Sequence, residues 1–446
     1  MPMPPPPPPA ILWPAEATVH PLSTIGSEKS TSGAGNKMVR VGNLLHVVYQ
    51  DADDEGRYLN RVRTLDMSTD LWSAPVDLNI GKDNHSRPII AADGAGILHV
   101  VLGGHNSPIT YRRSLRPNDS SAWSEAEPAG DGTYPVMVAD ADGVLYLTMR
   151  ATKQWDGVDL YIKPVGKPWA FSKKLLYRDR QYPAYAGYQT ALSIGPDGRT
   201  LHFLTDVYES IDTWKDRGRY QAVAYMVSHD GATTWTKADG TPVTLPARPE
   251  QMDAIAQDTR KRHESLAPPS ILAQGSLVVP SDGVPIVMYV NHLDAPGQLI
   301  LARPDTAGQW QQRVVEELIT AFPEHRPVQI RASVTIDRQD RITCLMELYP
   351  LNDEDWLDGK PTRAQRFRND RDKRLVWLRS TDLGKSFTVQ QALATGTTFH
   401  EHNIARPTGT NIDSGDSYPP IYFFQGESRY REKDEVLQNP TFLILQ

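Results

Sequence analysis

The 446-residue sequence predicts an all-β protein, a single seven-bladed β-propeller, and three observations lead to this prediction. A short apolar strand recurs seven times along the chain. Most copies lie roughly 45 to 60 residues apart, which is the size of a four-stranded propeller blade. Two turns resemble an Asp box, and the 36 prolines and 31 glycines favour many short strands and turns over long helices.

The seven recurring strands share an apolar run that often follows a turn with Asp-Gly or Gly-Asn. They are Leu44–Tyr49, Leu98–Leu102, Leu145–Met149, Leu201–Leu204, Pro285–Tyr289, Ile342–Met346 and Ile421–Phe424. Several are preceded by another strand that ends in a turn, as in Pro88–Asp93. A last strand, Thr441–Leu445, is expected to close the ring by pairing with the first blade.

The two Asp-box-like turns span Ser228–Trp235 and Ser380–Phe387 and approach the pattern Ser-x-Asp-x-Gly-x-Thr-Trp. In such a turn a small polar residue and an Asp hydrogen-bond the backbone, and an aromatic ring fills the space between sheets. These turns predict a propeller and carry no information on catalysis.

The expected domain organisation is simple. Residues 1–15 are predicted to be a disordered Pro-rich tail, and residues 16–446 a single propeller with an insertion at about 236–280. Within the insertion, Met252–Arg262 is a candidate short helix. Insertions in repeat folds map to loops on one face, often the binding face.

Composition excludes several classes of protein. The net charge of −7 argues against a general nucleic-acid binder, and no apolar run approaches the ~18 residues that span a bilayer. The only cysteine, Cys344, lies in an apolar strand and is expected to be a buried thiol. The polyproline start has neither the basic nor the apolar segment of a secretory signal.

Polar residues cluster where the predicted inner strands open. Because the inner strand of every blade lines the central channel, these residues are expected to converge although they lie far apart in sequence. They are His85, Arg87, His105, Tyr134, Arg150, Tyr185, Tyr188, His263, Arg331, His400 and His402. Any one of them alone is more simply a satisfied polar residue at a strand end, but so many titratable groups together favour a functional site. His400 and His402 would lie on one strand face, yet no third ligand lies near them, and no metal site is expected.

One stretch resembles a known family. Asp83-Asn84-His85, then Gly103–Pro108 with His105 placed 20 residues after His85, then Tyr111–Ser114, resemble the BNR-repeat polysaccharide lyases. This group includes the ulvan lyases and a related rhamnosyl-glucuronate lyase. The likeness covers most of the chain in layout and is sharp from about residue 83 to 150.

The resemblance implies an activity and a set of site residues. His85, His105, Tyr134 and Arg150 correspond to the family's catalytic group, and Tyr188 to a further site tyrosine, with Tyr185 as the alternative. Substrate binding is expected at Tyr188 and, from their positions at strand openings rather than from the resemblance, at Arg87, His263, Arg331 and His402. The implied reaction is β-elimination at a rhamnosyl-(1→4)-glucuronate linkage, in ulvan or in a rhamnose-capped gum such as gum arabic.

The residue types suit that reaction. Arg150 and His105 are expected to neutralise the uronate carboxylate, while His85 and Tyr134 share the acid–base work. No cofactor is expected to be required, although the resemblance admits a structural Ca²⁺. The expected partner is a uronic-acid-containing polysaccharide or oligosaccharide, and the expected state is a monomer. The resemblance implies an extracellular or periplasmic location, which the N-terminal sequence does not support, so the compartment stays open.

Two other functions fit a propeller. A sialidase would need three arginines, for which Arg87, Arg150 and Arg331 are candidates, but the two site histidines would go unexplained. A non-catalytic glycan-binding propeller would favour aromatic platforms over a group of His, Tyr and Arg residues.

Overall fold

The computed structural model describes most of the chain and shows an all-β fold. The described residues are 10–27, 30–31, 33, 35–53, 55–152, 157–177, 186–210, 218–258, 271–272, 276–293, 297–327, 334–351, 373–394, 401–404, 418–424 and 439–446. In these ranges 32 strands accompany one α-helix and one 3-10 turn. Neither helical segment is long and apolar enough to cross a membrane.

The strands are grouped here into seven strand units, each built around one of the seven apolar strands that the sequence predicts. A first strand, β1 (Thr18–Gly26), precedes them. Unit 1 holds β2 (Met38–Val41), β3 (Leu44–Ala52), β4 (Tyr58–Asp66), β5 (Leu71–Trp72) and β6 (Val76–Ile80). Unit 2 holds β7 (Ile89–Ala92), β8 (Leu98–Gly103) and β9 (His105–Arg113). Unit 3 holds β10 (Glu127–Ala139), β11 (Leu145–Ala151), β12 (Gly157–Lys163) and β13 (Ala170–Tyr177).

The second half of the chain continues the series. Unit 4 holds β14 (Ala186–Ile194), β15 (Leu201–Ser210), β16 (Gly218–Ser228), β17 (Trp235–Thr236), β18 (Pro242–Val243), the 3-10 turn Pro249–Gln251 and β19 (Asp253–Gln257). Unit 5 holds β20 (Ile271–Leu272), β21 (Leu277–Val278), β22 (Ile286–Asn291), β23 (Gln298–Pro304), β24 (Trp310–Val314) and α1 (Glu316–Ala321). Unit 6 holds β25 (His325–Pro327), β26 (Val334–Ile336), β27 (Ile342–Pro350), β28 (Arg374–Ser380) and β29 (Thr388–Gln391). Unit 7 holds β30 (Glu401–Ile404), β31 (Ile421–Phe424) and β32 (Asn439–Leu445), together with β1.

These strands form five antiparallel sheets, in which each predicted apolar strand lies between two neighbours. Units 4, 5 and 6 are separate sheets. Units 7 and 1 share a nine-stranded sheet, joined where Gly26 of β1 pairs with Asp51 of β3. Units 2 and 3 share a seven-stranded sheet. The predicted pairing of the C-terminal strand with the N-terminal region is confirmed, because β32 runs antiparallel to β1.

The apolar side chains pack between units rather than within one unit. Seven clusters of buried hydrophobic residues are present among the described residues, and each draws on two units. The pairs are units 1 and 2, 2 and 3, 3 and 4, 4 and 5, 5 and 6, 6 and 7, and 7 and 1. Cys344 belongs to the cluster between units 5 and 6, so the prediction of a buried thiol is confirmed.

Two local predictions were wrong. The helix expected at Met252–Arg262 is absent from its described part, residues 252–258, where Asp253–Gln257 form the strand β19 because their backbone pairs with β16. Residues 10–15 do not all belong to a disordered tail. The N–H groups of Leu12 and Trp13 bond to the carbonyl of Ala392, and Trp13 packs against the cluster between units 6 and 7.

Both Asp-box-like turns have the expected structural role. In the second turn, Ser386 donates its backbone N–H and its hydroxyl to the Asp382 carboxylate at 3.0 and 2.6 Å. The ring of Phe387 is buried between units 5 and 6, as Trp235 is between units 3 and 4. The Ser386 hydroxyl, helped by the turn N–H groups and opposed by burial, lowers the pKa of Asp382 to about 2.

This pKa predicts how stability responds to acid. A carboxyl whose pKa is lowered by folding stabilises the fold above its ordinary pKa, and this contribution disappears as the pH falls through the folded value. We therefore expect Asp382→Ala to lower the free energy of unfolding at neutral pH, and the deficit relative to wild type to shrink between pH 3.8 and about 2. Urea denaturation of both proteins across this range measures the deficit. An equal deficit at every pH would show that the turn does not depend on the charge of Asp382.

Candidate active site

The candidate site lies where β10 passes from one strand unit to the next. Its first half pairs with β9 of unit 2, and its second half pairs with β11 of unit 3. The two pairings meet at Thr133, which lies opposite His105 on β9 and opposite Arg150 on β11. One register position thus brings together residues that are 45 positions apart in sequence (105 to 150).

Unusual backbone conformations shape this junction. Gly103 and Gly104 have φ angles of 99° and 97°, and Asn106 and Tyr134 have φ angles of 49° and 58°. A Cβ on Gly103 would lie 2.9 Å from the carbonyl oxygen of Pro108, so the tight turn before His105 requires glycine. Positive φ is costly for a tyrosine, by about 1–3 kcal/mol, and such residues concentrate at functional sites.

The two predicted site histidines are in contact. The rings of His85 and His105 stack with centroids 4.3 Å apart and an interplanar angle of 26°. Asp83 holds both residues: its Oδ2 accepts a hydrogen bond from Nδ1 of His105, and its Oδ1 accepts one from the backbone N–H of His85 at 2.8 Å. Burial alone would raise the pKa of Asp83, but the hydrogen bond and charge of His105 and the His85 N–H outweigh it and hold that pKa below its usual value.

The other two predicted catalytic residues are also in contact. The guanidinium carbon of Arg150 lies 4.9 Å from the centroid of the Tyr134 ring. Arg150 donates from Nη2 to Oδ1 of Asn106 at 3.1 Å and from Nη1 to the carbonyl of Ala186 at 3.4 Å. Thr133 bonds to the same Asn106 oxygen, to which its hydroxyl donates at 3.0 Å. Arg150 is only 1% exposed, so it lies beneath Tyr134 rather than on an open surface.

Two predicted substrate-binding residues, Tyr188 and Arg87, are buried in the structure. Tyr188 on β14 is 1% exposed and belongs to the hydrophobic cluster between units 3 and 4. Arg87 is buried beside Gly33, where a Cβ would lie 3.4 Å from Nη2 of Arg87. In this structure neither side chain is on an open surface, and their contact with a substrate stays a prediction.

The remaining candidates cannot be placed. Tyr185, His263, Arg331 and His400 lie outside the described residues, and of His402 only the backbone in β30 is described.

One group in the described part of the chain has metal-ligand spacing. Donor atoms of Asp83, His85 and His105 lie within 4.8 Å of one another. Two nitrogens and one carboxylate suit a transition metal and not Ca²⁺, which takes 6–8 oxygen ligands. In this structure the three residues form a hydrogen-bonded array, in which Asp83 accepts from the His105 ring and from the backbone N–H of His85.

Sequence reasoning missed two residues of this arrangement. The sequence marks Asp83 only as part of a motif, although an Asp commonly accepts the backbone N–H of the residue two positions later, as it does here with His85. Asn106 was not singled out, because its role depends on its left-handed backbone and on Arg150, a residue on another strand.

Comparisons with known proteins agree with this architecture. Residues 45–318 match a family described as BNR repeat-containing. A solved ulvan lyase, presented as a new polysaccharide lyase family PL25, is similar at a TM-score of 0.67 and 16% identity, with 95% of each chain covered. The same values hold for a PL25 ulvan lyase bound to -[GlcA(1-4)Rha3S]-. The polysaccharide lyase Uly1 is similar at a TM-score of 0.57 and 11% identity, covering 92% of this chain and 90% of that chain. At these identities the likeness shows the fold. Among curated proteins, none matches the sequence.

Proposed function

The chain belongs to the BNR repeat-containing family, and we propose that it is a polysaccharide lyase that cleaves a rhamnosyl-(1→4)-glucuronate linkage by β-elimination. The observation that carries the proposal is the pairing of two contacts at one junction. A stacked His85–His105 pair lies on Asp83, and Tyr134 lies over Arg150 on the neighbouring strands.

The proposal includes a seven-bladed propeller in which each strand unit is one blade. Its support is the order of the seven hydrophobic clusters, because each unit shares one cluster with the next and unit 7 shares one with unit 1. Pairing of β32 with β1 would then fasten the last blade with the N-terminal strand. The junction of β9, β10 and β11 would lie at the mouth of the central channel.

Elimination from a uronate makes three chemical demands. The proton on C5 is weakly acidic while the neighbouring carboxylate is charged, so that charge must be neutralised as the enolate-like intermediate develops. A base must remove the proton, and an acid must protonate the O4 leaving group. In a glucuronate the C5 proton and the C4 oxygen lie on the same side of the ring. One group, or two adjacent groups, can therefore serve first as the base and then as the acid.

The geometry suggests a role for each residue. Tyr134 is partly exposed and lies over the Arg150 guanidinium, so we assign it the base and acid role together with His85. His105 is assigned to the carboxylate, since Asp83 can support a positive charge on it. The sequence predicts that Arg150 neutralises the uronate carboxylate directly. Its burial under Tyr134 instead favours action through Tyr134 and Asn106.

The substrate proposal draws on one solved complex. A PL25 ulvan lyase binds -[GlcA(1-4)Rha3S]-, a repeat of glucuronate and rhamnose, and for this chain we propose cleavage of the bond from rhamnose to O4 of the next glucuronate. The substrate would be ulvan or a rhamnose-capped gum. A sialidase site gains no support, because Arg87 and Arg150 are both buried in separate contacts and Arg331 lies outside the described residues. A structural Ca²⁺, a monomeric state and an external location stay predictions.

The direct test is the ultraviolet absorbance of the unsaturated uronate that β-elimination produces. We expect the protein to raise this absorbance with ulvan or with gum arabic, each assayed separately. His85→Ala should lower kcat by about 10²–10⁴-fold, the usual contribution of acid–base groups. His99→Ala is the matched control, because His99 hydrogen-bonds to Tyr111 inside unit 2, away from the junction. No absorbance change on either polymer would refute the proposed linkage.

A further inference from the structure

We propose that Asp83 is a positioning residue of the site: it fixes the ring orientation and the tautomer of His105, and it holds His85 in the stack against that ring. The inference rests on the proposed function for its kinetic consequence, but its structural part stands independently. Asp83 itself is assigned no contact with the substrate.

The first step is that the two carboxylate oxygens of Asp83 accept different hydrogen bonds. Oδ2 accepts from the ring nitrogen Nδ1 of His105, and Oδ1 accepts from the backbone N–H of His85 at 2.8 Å. The backbone bond is local, spanning two residues, so it sets the side-chain rotamer of Asp83 whether or not His105 is in place. The carboxylate is therefore oriented before it meets the ring from β9.

The second step concerns the proton. An ionised carboxylate can only accept hydrogen bonds, so Nδ1 of His105 must carry the proton in this contact. When the ring is neutral, Nε2 is then an acceptor. When the ring is charged, Nε2 becomes a donor that can meet the uronate carboxylate. Hydrogen bonds from both histidines favour the ionised form of Asp83, which keeps this arrangement in place.

The third step concerns His85. Its ring nitrogen Nδ1 is 3.9 Å from Oδ1 of Asp83, too far for a hydrogen bond, while its ring stacks on His105. His85 is thus oriented by its backbone bond and by the stacked ring, and both depend on Asp83. Loss of the carboxylate would disturb both histidines through one residue.

Asp83→Asn separates positioning from bulk structure. The amide keeps an acceptor for the His85 N–H but places an NH₂ donor against Nδ1 of His105, which favours the opposite tautomer. Asp93→Asn is the matched control, because Asp93 pairs with His99 at 3.2 Å in the same unit and accepts the N–H groups of Ala95 and Ile97. Thermal unfolding of both variants shows whether each is folded.

The decisive readout is the imidazole ¹⁵N spectrum of protein labelled at its 12 histidines, with the His105 signal assigned by its loss in His105→Gln. We expect the Nδ1–H form in the wild type and its loss in Asp83→Asn. In the lyase assay we expect kcat of Asp83→Asn to fall by roughly 10²-fold or more with KM little changed, the scale found for carboxylates that orient functional histidines. Asp83→Glu should recover part of kcat, and Asp93→Asn should resemble the wild type.

The two hypotheses fail differently. A wild-type protein without lyase activity refutes the proposed function, and the ¹⁵N spectra then test Asp83 alone. An active wild type together with an unchanged kcat in folded Asp83→Asn overturns the positioning role. The positioning role is also overturned if His105 keeps its Nδ1–H form in Asp83→Asn.

Discussion

Replacing Tyr134 with Phe is expected to lower kcat on the cleaved polymer by about 10²–10⁴-fold, the range that acid–base groups contribute. The substitution removes one hydroxyl and keeps the ring that lies over Arg150. KM should change little, because the lost proton transfer takes place in the transition state. The measurement is the initial rate of unsaturated uronate formation over a range of polymer concentrations.

Tyr146→Phe is the matched control for this prediction. It removes a phenol hydroxyl from β11 of the same sheet, where Tyr146 donates to Asp140 at 3.1 Å in a structural contact. We expect a small loss of stability and an unchanged kcat. A Tyr134→Phe variant that keeps more than about a tenth of the wild-type kcat would remove Tyr134 from the acid–base role, since such a residual rate is too high for a lost proton carrier.

The position of Tyr134 explains why this residue is the strongest candidate. Its left-handed backbone, with φ at 58°, lies directly after Thr133, where β10 changes partner from β9 to β11. A regular strand would alternate its side chains between the two faces. The irregularity lets the phenol project at the junction while Thr133 stays buried against Asn106. The backbone strain thus serves the placement of one side chain.

The sequence predicted the strands well because their signal is local. Seven apolar runs bounded by turns are visible without any knowledge of partners, and all seven are strands between two neighbours. It also predicted contacts within the site, since His85 meets His105 and Tyr134 meets Arg150. Both contacts lie at the ends of neighbouring strands, where β10 pairs with β9 and with β11.

What the sequence could not predict depends on long-range pairing. Within the segment Met252–Arg262, where a helix is expected, the chain forms β19 instead. The backbone of β16 offers it hydrogen-bond partners that a local sequence pattern does not reveal. Arg150 is buried and bonds to Asn106, which has a positive φ and bonds to Thr133 where the register of β10 shifts. A strand-ending arginine looks the same in sequence whether it meets a substrate or a phenol.

Replacing Arg150 with Lys is the second large effect that we expect, a fall in kcat of about 10²–10³-fold, as found when one preorganised donor is lost. Lysine keeps the charge but lacks the planar fork that reaches Asn106 and Ala186 while stacking on Tyr134. The matched control is Arg63→Lys, because Arg63 lies 4.8 Å from the ring centroid of Trp72 in unit 1, away from the junction. That variant should keep its activity.

The double variant decides how Arg150 acts. If its charge works through the Tyr134 phenol, Arg150→Lys should cost little more once Tyr134 is already Phe, because residues that act as a unit have non-additive effects. If Arg150 instead grips the substrate carboxylate, the two losses should multiply and KM should rise in the single Arg150→Lys variant. The burial of Arg150 at 1% exposure and its contact with the Tyr134 ring favour the first outcome. Multiplying losses would mean that Tyr134 moves aside when the polymer binds.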